Sequence, residues 1–184
     1  MEVGLKGGDK LKAKLEELSR GLKAGAYVKV GFLAGATYPD GTSVAMVAVI
    51  QNFGAPSVGI PPRPYFSNMI AKESPHWGDD VAAALKAFNY DAESTMKAMG
   101  EQITGELRQS IVDTNDPPLS PVTLLLRQRF WGNPDAIQFS DVQQARDDVA
   151  KGTKAKVTGS QGKPLVWSGH LLNSVDSEVG SGKP

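Results

Sequence analysis

Two proline-rich stretches, residues 56–64 (PSVGIPPRP) and 113–121 (DTNDPPLSP), set the strongest local limit on how this chain can fold. Proline lacks a backbone N–H and fixes φ, and it drives the preceding residue out of the α region. The first stretch is therefore read as extended, and the second breaks the chain between helices. Regular elements have to form around them.

Ahead of the first stretch, residues 9–23 form an amphipathic helix, with Leu11, Leu15, Leu18 and Leu22 recurring at intervals of 4, 3 and 4. Asp9 is placed to cap its start, and Gly21 and Gly25 to help end it. Residues 26–33 (AYVKVGFL) read as a strand from their β-branched and aromatic content. The next segment, GATYPDGTS, is a loop. Residues 44–53 carry strand-favouring side chains, but Ala45, Met46, Val49, Ile50 and Phe53 repeat at helical offsets and Gly54 stands at a C-cap position. A helix is expected there.

Beyond the first stretch, a helix from Tyr65 is expected to break at Ser74-Pro75, with another over residues 81–88. Residues 91–113 give the clearest helix, with Ala92, Met96, Met99, Ile103, Leu107 and Ile111 on one stripe. Gly100 and Gly105 either weaken it or admit a close neighbour. Ser120-Pro121 is an N-cap followed by a first-turn proline, starting a helix to about Arg129. Ser140 to Gln143 has the capping-box pattern of a short helix ending near Gly152. Residues 151–163 hold four lysines, three glycines and no acid, and read as mobile. Ser168 is placed to cap a short turn through Leu171-Leu172, and residues 175–179 suit a last strand.

The sum is an α+β fold, a small antiparallel β-sheet packed against several helices with long loops. Strands so few need helices over one face. At 184 residues a single domain over 1–184 is expected. Within it, 1–25 supply the N-terminal helix and 26–130 with 163–179 the core. Residues 131–162 form a loop and short-helix insertion, and 180–184 a flexible tail.

Lys+Arg and Asp+Glu both total 20, so no overall field draws the chain to DNA or an anionic membrane. The N-terminus lacks the apolar core of a signal peptide, and the longest apolar run, 44–50, is too short to span a bilayer. The expectation is a soluble protein with no membrane partner. With no cysteine and two histidines, His76 and His170, thiolate chemistry and a histidine-rich metal site are excluded within one chain. Asp79-Asp80 and Asp147-Asp148 are adjacent pairs, better read as solvated surface than as acid/base machinery. No phosphate loop or dinucleotide fingerprint is present. Ser168 and His170 suggest a small hydrolase at most, and the Ser is better explained as a cap. No catalytic residue, cofactor or metal is expected.

Three constellations remain. The first runs from Gln51-Asn52-Phe53-Gly54 to Ile60-Pro61-Pro62-Arg63-Pro64-Tyr65-Phe66. Its arginine, framed by prolines, suits either an ion pair with a neighbouring subunit or an intrachain ion pair locking the loop. The second is Pro117-Pro118-Leu119-Ser120-Pro121-Val122-Thr123. The third is residues 163–175, KPLVWSGHLLNSV, a turn, a cap and a hydrophobic anchor.

In this order and spacing the three resemble motifs of the small bacteriophage tail-completion and minor-tail (head–tail joining, neck) proteins. Members show a V-A-x-x-x-E/Q-F-G helix, an I-P-P-R-P-F-like segment, a P-L-x-P-x-T helix start and a K-P-L-x-D-T-G-x-L-x-x-S-I-like motif. The resemblance covers about residues 26–179. It departs at Trp167-Ser168, where the family has Asp-Thr, and in the long lysine-rich stretch 132–161. It implies a virion structural protein of the neck or top of the tail, assembled in the host cytoplasm. Such a protein forms a ring, sixfold by that analogy, between connector or portal-adaptor proteins and the tail terminator or tail tube. Tail terminator and head-closure adaptor are the alternatives within the class, and a nucleic-acid-binding protein the alternative outside it. On the ring reading, Phe53, Ile60, Pro61, Pro62, Arg63, Pro64, Tyr65, Phe66 and Trp167 are candidate subunit-interface residues. Lys151, Lys154, Lys156 and Lys163 are candidates for non-specific contact with DNA passing through the lumen.

Overall fold

The helical and strand patterns are realised in a computed structural model that describes residues 8–23 and 25–182. Among these residues the order is α1 (Gly8–Lys23), β1 (Ala26–Phe32), α2 (Val44–Phe53), α3 (Tyr65–Ala87) and α4 (Ala92–Asp113), then α5 (Pro121–Arg129), α6 (Phe139–Ala150), α7 (His170–Asn173) and β2 (Val175–Ser181). β1 and β2 pair as a two-stranded antiparallel sheet, so the fold class is α+β, dominated by helix. Among the described residues, a strand near the start of the chain thus pairs with one near its end.

The chain forms two compact units, neither of them a continuous stretch. Unit 1 comprises residues 1–31, 70–106 and 176–184, and unit 2 residues 32–69 and 107–175.

In unit 1 the later part of α3 lies on the earlier part of α4. Trp77 Nε1 donates to Glu106 Oε2 at 3.0 Å, and Gln102 Nε2 donates to Asp80 Oδ2 at 2.8 Å. Asp91 opens α4, its Oδ1 accepting from the Glu93 N–H and its Oδ2 from the Ser94 hydroxyl. The sheet crosses α4 at Gly100, where a Cβ would lie 2.9 Å from both Val28 Cγ2 and Ser177 Oγ. Gly100 is therefore a close-approach glycine, whereas nothing lies within 4 Å of a Cβ built at Gly105.

In unit 2 the core is made by Val44, Ala48, Tyr65, Leu107, Ile111 and Leu125, each at most 4% exposed. α2 starts as a capped helix, Ser43 Oγ accepting from the Met46 N–H, and ends at Gly54. There φ is +76° and a Cβ would meet Pro62 N at 2.7 Å, so only glycine lets the chain turn back along the proline segment.

Several boundaries differ from expectation. No break occurs at Ser74-Pro75: α3 is one helix, with Pro75 inside it. Its inward stripe, Tyr65, Met69, Glu73, Trp77 and Val81, keeps phase through the proline. Ala71, Ser74 and Pro75 are exposed, so the carbonyl freed by the missing N–H is on the wet side. The first proline stretch is not extended throughout, since Pro56–Val58 is a 3₁₀ turn. That turn is closed by the pair Ala55 N–H to Ile60 O and Ile60 N–H to Ala55 O. α6 begins before Ser140, with Gln138 as N-cap, because the Asp141 carboxylate accepts the Gln138 N–H at 2.8 Å. β2 continues to Ser181, two residues past the predicted strand. Of the predicted 180–184 tail, residues 183–184 lie outside the described residues, as do residues 1–7 of the predicted 1–25 segment.

Replacing a helical glycine by alanine ordinarily stabilises a helix by up to about 1 kcal/mol. At Gly100 the crowding should reverse the sign, so that Gly100→Ala lowers stability by about 1–3 kcal/mol. Gly105→Ala, with open space, should raise it. Thermal unfolding of the two variants beside the parent checks this, and two equal shifts would refute it.

Candidate functional site

The residues that matter lie in unit 2, where two buried arginines gather four segments distant in sequence. Arg63 sits on the extended residues 61–64 after Gly54 turns the chain. Its backbone N–H donates to Gln51 O at 2.8 Å, which fixes the segment beside α2. Its side chain is 8% exposed. Nε donates to the Pro117 carbonyl at 3.1 Å, and Nη1 lies 3.5 Å from Gln51 Oε1. Arg63 thus ties the first motif to the second. The intrachain ion pair is not formed: among the described residues no carboxylate partners Arg63. Backbone and amide oxygens satisfy it instead, and burial holds its pKa below the usual arginine value.

Asn52, 4% exposed, does what no residue next to the start of α3 can do. Pro64 has no side-chain acceptor to cap the helix. Asn52 Oδ1 reaches across to accept the N–H groups of Phe66 and Ser67 at 3.0 and 3.2 Å, and its Nδ2 donates to Ser67 Oγ. Tyr65, fully buried, donates its hydroxyl to Ala48 O at 3.2 Å and offers its carbonyl to the Ser110 hydroxyl at 2.7 Å.

Arg127 ties α5 to the third motif. It is 4% exposed; Nη1 donates to the carbonyls of Lys163 (2.5 Å) and Gln161 (3.4 Å), and Nη2 to that of Pro164 (2.8 Å). Its guanidinium lies 4.9 Å from the centre of the Trp167 ring. Burial and the nearby charge of Arg63 push its pKa down to about 10, so it stays charged at neutral pH. Arg127 Nε and Trp167 Nε1 are buried without partners.

The stretch 151–163, read as mobile, is tied down by these contacts, by a 3₁₀ turn at Gly159–Gly162, and by the Lys156 N–H donating to Gln128 Oε1 at 2.8 Å. Lys151, Lys154 and Lys156 are exposed, whereas Lys163 is half-buried. Arg129 pairs with Asp148, whose carboxyl that bond holds below the usual range. One residue of the acidic pair 147–148 is thereby accounted for.

Of the candidate interface residues, Phe53, Pro61 and Pro62 are exposed, and Ile60, Pro64, Phe66 and Trp167 half-buried. Arg63 and Tyr65 face inward as scaffold. A cleft of about 380 Å³ opens between Tyr38, Val47, Gln51, Leu165, Trp167 and Leu171, with Asp40 and Asp135 also in its lining. His170 closes on Tyr38 (ring centres 4.6 Å apart) with its Nε2 2.9 Å from Thr37 O. Ser168 Oγ accepts the His170 backbone N–H at 3.3 Å, one step from the predicted cap, since Gly169 is the N-cap of α7. Serine and imidazole are each engaged elsewhere and do not form a nucleophile–base couple. Among the described residues no group of His, Asp or Glu is placed to hold a metal ion. Comparison of the chain with protein-family models, curated proteins and solved structures gives no match.

Arg127 was not singled out from sequence, and Asn52 was named only as part of the first motif, with no capping role. The cue for Arg127 is the apolar run Leu124-Leu125-Leu126 just before it, which puts an arginine on a helix buried on more than one side. For Asn52 the cue is a helix start at Tyr65 lacking any local cap.

Arg127→Met should leave the carbonyls of Lys163 and Pro164 without their donor and cost about 2–4 kcal/mol. Arg127→Lys, a point charge without the guanidinium fork, should recover only part of that. Denaturant titrations of the three proteins measure it, and a parent-like midpoint for Arg127→Met would contradict the clamp.

Proposed function

We propose that this chain is a virion structural protein of a phage neck, forming an oligomeric ring that completes the tail and joins it to the head connector. The observation that carries the reading is the meeting of the three motif segments in unit 2, through Arg63 on Pro117 and Arg127 on Lys163 and Pro164. These are the segments on which the resemblance to tail-completion proteins rests. Arg63, Asn52 and the Arg127 Nη groups are engaged in holding backbone to backbone, which suits a rigid building block rather than a reactive centre.

An outer face fit for assembly supports the same reading. Met46, Val49 and Phe53 on one face of α2 are 55–68% exposed, an apolar stripe ahead of the proline frame. In the ring, sixfold by analogy, one side meets connector or portal-adaptor proteins and the other the tail terminator or tube. Lys151, Lys154 and Lys156, exposed in a stretch without an acid from residue 149 to 175, suit non-specific contact with the passing genome. Tail terminator and head-closure adaptor are neighbouring roles, and the order of motifs favours tail completion.

Particles assembled without this protein should show, in negative stain, DNA-filled heads and separate tails that do not join. Normal infectious particles would overturn the proposal. Tight, salt-resistant binding of DNA by the isolated protein would favour a nucleic-acid-binding role instead.

A further inference from the structure

α1 and α2, in different units, each leave a stripe of large apolar side chains in water. On α1, Leu11, Leu15 and Leu22 are 62%, 56% and 47% exposed. With Leu18 they follow the 4-3-4 spacing of a heptad seam, the pattern of a helix that packs lengthwise on another. A helix of 16 residues is marginal in water without such packing. On α2, Met46, Val49 and Phe53 stand at i, i+3 and i+7, one face of the helix.

We infer that α1 of one copy lies along the α2 face of a second copy. This rests on the ring reading and specifies the contact that would build it. Charge gives α1 with α1 no advantage over this pairing. On α1, Lys10, Lys12, Lys14 and Arg20 outnumber Asp9, Glu16 and Glu17 by one, so two α1 helices side by side gain no net charge attraction. α2 carries no charged residue from Val44 to Phe53, so nothing there opposes the α1 lysines. The lengths are compatible, with a seam of roughly 16 Å from Leu11 to Leu22 against roughly 10 Å from Met46 to Phe53. Symmetry points the same way. A contact between two different faces is heterologous, the type of contact a ring is built from, whereas α1 on α1 would be isologous and stop at a dimer.

The test uses Leu15→Glu and Val49→Glu in the full chain. Both positions are more than half exposed, and circular dichroism verifies that each variant is folded. In sedimentation velocity the parent assembles, and each variant alone should self-associate at least tenfold more weakly, since every contact lacks one face. Mixed, the two should form a 1:1 dimer that grows no further, pairing the intact α1 of Val49→Glu with the intact α2 of Leu15→Glu. If the parent assembles and either variant assembles equally well, or the mixture stays monomeric, the α1–α2 contact is wrong while the ring reading survives. A parent that is monomeric at every concentration sinks both. The same proteins are sedimented with phosphatidylcholine–phosphatidylglycerol vesicles. Binding lost in Leu15→Glu while its assembly is unchanged would assign the α1 stripe to a membrane surface and overturn the inference.

Discussion

Arg127 donates to three carbonyls from a position that is 4% exposed, and the path of the chain after α6 depends on that arrangement. Removing a guanidinium from water costs several kcal/mol in a real protein. Hydrogen bonds from a charged donor return about 1.5–3 kcal/mol each. Only a segment offering several carbonyls at once can offset the burial, and Gln161, Lys163 and Pro164 do so because a 3₁₀ turn brings them to one side of the chain. The ring of Trp167 covers the guanidinium, so the third motif is at once the acceptor and the lid. Arg63 repeats the solution on a smaller scale, with the carbonyl of Pro117 and the amide of Gln51. Using carbonyls in place of carboxylates leaves two like charges in one unit. That mutual repulsion contributes to the lowered pKa of Arg127, after burial itself.

The parts of the fold that could be read from the chain are those decided locally. The leucine spacing of α1, the Ser120 cap, and the β-branched run of β1 depend on neighbours within one or two turns, and each appears where expected. With so few strands, the small sheet leaves little choice but to pair β1 with β2. What could not be read depends on contacts far away in sequence. Pro75 ends a helix by local rules, yet its flank is exposed while Trp77 and Asp80 beyond it are held by Glu106 and Gln102. The lysine-rich stretch has a mobile composition, and an arginine more than thirty residues earlier ties it down. Arg63 was read as half of an ion pair because arginine seeks carboxylates. No local pattern says that a proline carbonyl 54 residues away will serve instead.

The same division separates what is rigid from what is left open. The clamps hold the backbone of the motif segments, so those segments cannot rearrange freely to cover apolar surface. Gly54 adds to this, since the close approach of Pro62 allows no side chain at the end of α2. The face bearing Met46, Val49 and Phe53 is therefore held in place and still exposed. A chain with equal numbers of acidic and basic residues has no net charge to keep copies apart. With repulsion absent and the apolar stripe fixed, association has little ordering entropy to overcome at that face, because the backbone is already set. On α1, where the stripe is flanked by lysines, charge does act, and it acts on the choice of partner: it gives a second α1 no advantage and leaves an uncharged surface acceptable.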